Sequence, residues 1–130
     1  MKKSVFMETY PICSIELQKD ECRFQNVDGV LAFFKEKIDN HPKATFISLF
    51  DHFNHTKNIN GEVEEGMKDA KNIIFCFGPA IPSSKPLAVR PRSFGVCEYE
   101  DRFHIDFLEA PNKPIQDILE SWVLELKEIR

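Results

Sequence analysis

The alternation of apolar and polar positions changes period several times along the chain, and each change marks an element. In residues 12–18, ICSIELQ, Cys13, Ile15 and Leu17 alternate with Ser14, Glu16 and Gln18, the period of a strand with one wet face. Residues 4–10 read as a strand before it, with Pro11 separating the two. Val27, Val30, Leu31, Phe34 and Ile38 then fall at helical spacing, with Asn26 or Asp28 as cap and Asn40-His41-Pro42 as stop. ATFISLF, residues 44–50, is apolar or small on both faces, the pattern of a central buried strand, and the strand reading extends to Phe53. Residues 56–70 are polar, and GEVEEGMKDA predicts a short helix weakened by Gly66. NIIFCF, residues 72–77, is a second buried strand.

Residues 78–91 hold four of the eight prolines and predict a long, stiffened loop. Residues 93–100 and 102–108 form a hairpin around YEDR, with Phe103, Ile105 and Phe107 on one face. In the last segment Asn112 is a good cap and Pro114 suits the first turn. Ile115, Ile118, Leu119, Trp122, Val123, Leu126 and Ile129 make one apolar stripe. The order is β-β-α-β-(α)-β-β-β-α. It predicts a single α+β domain over residues 1–130, built on one mixed or mostly antiparallel sheet of five to six strands with two main helices on one face.

Composition narrows the classes of function. The chain has 130 residues, room for one core. Its 42% hydrophobic and 29% charged content is that of an ordinary globular protein. Twelve phenylalanines exceed what a small core needs and admit three readings: an aromatic-rich core, a homodimer face or an apolar cavity. A net charge of −4 argues against a nucleic-acid partner. The N-terminus starts basic, but Glu8 and Pro11 interrupt any apolar run, so neither a signal peptide nor a membrane anchor is expected and the location reads as cytoplasmic. Cys13, Cys22, Cys76 and Cys97 are far apart and read as free thiols, Cys76 in the core and Cys97 inert.

Two stretches carry candidate chemistry. FDHFNHTK, residues 50–57, sets Asp51, His52 and His55 close together. In a strand, positions 52 and 55 point to opposite sides, so no metal site is expected. Asp51 and His52 are also half of an acid–base pair, the candidate catalytic residues if the protein is an enzyme. The second stretch is the loop 78–92, with Lys85, Arg90 and Arg92 and no acid in an acidic protein. Ser83 and Ser84 add hydroxyls, so these five residues are the candidate ligand-binding set for a phosphate or carboxylate. Its prolines exclude a P-loop, because they lack the N–H groups of a phosphate cradle. The bland alternative pairs the arginines with Glu98 or Glu109.

FDHFNHTK, DAKNIIFCFG, LAVRPRS, FLEAPN and the closing ESWVLEL together resemble a family of small bacterial proteins of about this length, a domain of unknown function. The resemblance covers nearly the whole chain and implies a one-domain α+β fold in a cytosolic bacterial setting. It carries over no catalytic or binding residue. The leading expectation is a non-enzymatic module that binds a small anionic metabolite or a protein partner where Asp51-His52 meets the loop 78–92, with no cofactor. One alternative is a small hydrolytic or acid–base enzyme using His52 as base and Arg90 or Arg92 as substrate clamp. The other is a homodimeric assembly protein.

Overall fold

The computed structural model describes residues 1–128. Six strands form one sheet: β1 (Lys2–Phe6), β2 (Tyr10–Gln18), β3 (Thr45–Phe50), β4 (Asp69–Cys76), β5 (Arg92–Glu98) and β6 (Arg102–Leu108). Their order is β1-β2-β6-β5-β4-β3 and every neighbouring pair is antiparallel. Among the described residues three α-helices accompany them: α1 (Val27–Asp39), α2 (His52–Asn58) and α3 (Lys113–Leu124). This is an α+β fold on an open antiparallel sheet. Among the described residues, no helix is long and apolar enough to cross a membrane.

The period-2 pattern sets the core face. Cys13 and Leu17 of β2, Phe103, Ile105 and Phe107 of β6, Phe94 and Val96 of β5, and Ile73 and Phe75 of β4 are all buried on one side of the sheet. Against them lie Val27, Val30, Leu31, Phe34 and Ile38 of α1 and Leu119, Trp122 and Val123 of α3. Leu126, just past α3, is also buried, and Ile129 of the expected stripe lies outside the described residues. Asn26 caps α1 by accepting from Gly29 N at 2.8 Å. Asn112 caps α3 by accepting from Ile115 N at 3.3 Å. Trp122 sits among Phe77, Phe75 and His41, with ring centroids 5.6, 6.3 and 6.2 Å away.

Several sequence expectations need correction. The first reversal comes earlier than expected: the chain turns at Met7 and Glu8, both with positive φ, and Pro11 lies inside β2 opposite Val5. Strand β3 is at the edge of the sheet, not its centre, and Ile47, Leu49 and Phe50 are exposed. Residues 61–68 form no helix. The short helix is α2, which begins where β3 was expected to continue. The twelve phenylalanines mostly supply the core: seven are buried, and only Phe6 and Phe50 are exposed.

Candidate functional site

Strand β3 ends at Phe50 because Asp51 opens a helix. Asp51 Oδ1 accepts from Asn54 N at 3.1 Å and Oδ2 from Asn54 Nδ2 at 2.7 Å, an N-cap for α2. These bonds, the side-chain one foremost, hold the Asp51 carboxyl below its ordinary value. His52 and His55 therefore lie one turn apart on a helix, not on opposite sides of a strand. The parity argument for separating them does not apply. Their ring centroids are 6.5 Å apart, and both pack on Phe50. His104 stacks edge-on against Tyr99, and His41 lies by Phe77 and Trp122. No group of three or more His, Cys, Asp or Glu placed to hold a metal occurs among the described residues.

The second face of the sheet carries the residues that alternate with the core, and α2 leans on it. His52, Phe53, Met67, Ala70 and Cys97 line a hollow of about 240 Å³ there. Burial first, then nearby acids led by Asp106, pushes the Cys97 thiol up to about 11, which makes its thiolate scarce at neutral pH. Tyr99 donates to Glu64 Oε2 at 2.9 Å. Elsewhere on the same face, Ser14 Oγ donates to Asp106 Oδ1 at 2.5 Å across β2 and β6.

The loop 78–92 follows β4 at the opposite end of that strand. Phe50 pairs with Asn72 while Thr45 pairs with Cys76, so Asp51 and Gly78 leave the sheet at opposite ends. The expected meeting of Asp51-His52 with this loop does not occur. The loop instead folds toward the start of α3 and encloses a cleft of about 520 Å³. Arg90 and Arg92 both line it, whereas Ser83, Ser84 and Lys85 do not and are exposed. The rest of the wall is mostly apolar, including Phe77, Pro79, Pro86, Leu108 and Ile115.

Each arginine is oriented by a backbone carbonyl. Arg90 Nη1 donates to Ala80 O at 2.8 Å, and Arg92 Nη2 donates to Leu108 O at 2.9 Å. Gly78 makes the Arg90 pose feasible: a Cβ there would come within 2.8 Å of Arg90 Nη1. The acids that the bland reading offered pair with lysines instead. Glu98 pairs with Lys19 at 2.9 Å and Glu109 with Lys3 at 3.4 Å. Arg92 Nη1 is the one buried side-chain nitrogen or oxygen without a hydrogen-bond partner among the described residues. Burial pushes the Arg92 guanidinium below its ordinary pKa, though an arginine remains a cation. An unpartnered buried donor is a costly feature, and this one belongs to a side chain that lines the cleft.

Sequence reasoning missed the far wall, residues 108–115 with Phe77. Asn112 and Pro114 were legible there as a helix start, yet nothing local says that a helix start will face a loop some twenty residues earlier.

Comparison with known proteins places the chain in a family. The model of a family of unknown function, DUF6858, matches residues 1–128, and the chain belongs to that family. No curated protein and no solved structure matches it.

Proposed function

We propose that this family member is a binding module for a small anionic ligand, held in the cleft between residues 78–92 and the start of α3. The observation that carries the reading is Arg92 in the cleft lining: a half-buried cation, with no carboxylate of the described residues within 4.0 Å, one of whose guanidinium nitrogens, Nη1, is buried and unpartnered. A chain selected for stability alone gains nothing from such a group. Arg90 adds a second cation in the same lining. That lining holds no His, Cys, Ser or Thr, which favours binding over acid–base or nucleophilic chemistry. A thermal-shift panel of anions on wild type and on an Arg90→Ala, Arg92→Ala double variant tests this. Stabilisation of wild type alone supports the site. Equal shifts in both proteins, or none in either, returns the arginines to a structural role.

The enzyme alternative asks for His52 and an arginine in one pocket. His52 lines the hollow under α2, and both arginines line the cleft at the other end of β4, so this reading has less support. A homodimer reading rests on β3. Its edge is free of charged side chains, while the opposite edge, β1, carries Lys2 and Lys3. Light scattering across a concentration series tests it: a mass of one chain throughout ends the idea.

A further inference from the structure

We propose that the ligand of this cleft is a carboxylate with an apolar body, an arylalkyl or branched aliphatic acid, and not a phosphate. The inference rests on the anion-site reading above and narrows it through the supply of donors.

A phosphate spreads two charges over three oxygens and is usually met by a cradle of backbone N–H groups and a helix N-terminus. Four of the amides around this cleft are already committed. Ile115 N donates to Asn112 Oδ1 at 3.3 Å, and Ala110 N donates to Gln116 Oε1 at 2.8 Å. Glu109 N donates to Pro11 O at 2.9 Å, and Val89 N to Pro86 O at 3.1 Å. Pro79, Pro86 and Pro111 in the lining have no N–H. The side-chain donors in the lining are the two guanidinium groups and the amide of Asn112. That small set suits the two oxygens of a carboxylate.

The volume points the same way. Small-molecule sites run from roughly 300 to 1,000 Å³, and the cleft's 520 Å³ falls in that range. A carboxylate group alone leaves most of it empty, and Phe77, Leu108 and Ile115 then face the vacant part. An apolar body covers those side chains and displaces water from them. Glu109, the one acid in the lining, is ion-paired with Lys3, which lowers its repulsion of an anion.

Isothermal titration with phenylacetate, acetate, phenylacetamide and inorganic phosphate tests the inference on wild type, Arg92→Met and Ile115→Ser. Phenylacetate is expected to bind at least about tenfold more tightly than acetate, phosphate or phenylacetamide, tenfold being 1.4 kcal/mol. Arg92→Met should cut phenylacetate affinity about tenfold or more. Ile115→Ser should weaken phenylacetate and leave acetate unchanged. Phosphate binding more tightly than phenylacetate, lost in Arg92→Met, would overturn this inference while the anion site stands. Phenylacetamide binding as well as phenylacetate would overturn both, as would no heat from any probe.

Discussion

Replacing Arg92 by Met separates a residue kept for binding from one kept for stability. Arg92 is half-buried on the core-facing side of the sheet, where its neighbour in register on β4 is Phe75. Met keeps an apolar stem of similar reach and removes the guanidinium. Two contributions change. Leu108 O loses its donor, but Leu108 is exposed, so water can replace the bond, a loss of about 0.5–1.5 kcal/mol. The desolvation penalty of the unpartnered Nη1, about 1–3 kcal/mol, disappears. The net expectation is a variant between about 0.5 kcal/mol less stable and about 2.5 kcal/mol more stable, with a melting temperature up to roughly 9 °C higher for a domain of this size. Urea unfolding followed through Trp122, the only tryptophan, reads the difference directly. With a bound anion the order should reverse, since ligand at 100 times its Kd stabilises wild type by about 2.7 kcal/mol and leaves the variant where it was. A variant more than about 1 kcal/mol less stable than wild type in anion-free buffer, with an unchanged m value, refutes the reasoning. Arg92 would then be a structural cation whose second nitrogen finds water.

Other expectations are as direct. Trp122→Ala should cost about 3–5 kcal/mol, because the indole is 6% exposed and touches three rings; circular dichroism must follow it, and a loss under about 1 kcal/mol means the helix is not packed this way. Tyr99 is pushed up to about 12 by burial and by its bond to Glu64, whereas an unfolded tyrosine ionises near 10. Below pH 10 it is neutral in both states. Between about 10 and 12 only the unfolded state ionises, so stability should fall by up to about 2.7 kcal/mol as pH rises. Ultraviolet titration of a Tyr10→Phe variant isolates this group, and a midpoint near 10 contradicts the burial. Cys97 should react with a thiol reagent at pH 8 about a hundredfold more slowly than an ordinary exposed cysteine, as its thiolate is scarce. Mass spectrometry of partly labelled protein shows whether Cys97 is instead among the first modified.

Legibility tracked how local each signal was. The helix of residues 27–39 and the final helix were readable because their caps, Asn26 and Asn112, and their stripes lie within a few turns of sequence. The hairpin of β5 and β6 was readable because Phe103, Ile105 and Phe107 alternate cleanly and the turn beside them is short. The first hairpin was misplaced because Met7 and Glu8 take left-handed backbone without the Asn or Gly that announces such a turn. Strand β3 was misjudged because apolar residues on both faces suit a buried strand and an exposed edge alike. Only the pairing partner decides, and β3 has one neighbour, β4.

That one-sided pairing also explains why the two candidate stretches were joined on paper and parted in space. The crossover from β2 through α1 passes over β6, β5 and β4 before β3 begins, so β3 returns antiparallel to β4 at the far edge. Antiparallel neighbours send the end of one strand and the end of the next to opposite rims of the sheet. Asp51, closing β3, is therefore on one rim, and Gly78, following β4, is on the other, where β6 also ends and α3 begins. The arginines of the loop thus face the chain from Leu108 to Ile115, not the histidines. Their countercharge is missing for the same reason. Glu98 starts from the opposite end of β5 and reaches Lys19 there, and Glu109 is drawn to Lys3 on the outer strand. A cationic loop in an acidic protein thereby reaches a rim where the nearby acids are already paired. Arg92, its buried Nη1 unpartnered among the described residues, lines the cleft on that rim, and the proposed anion site rests on that placement.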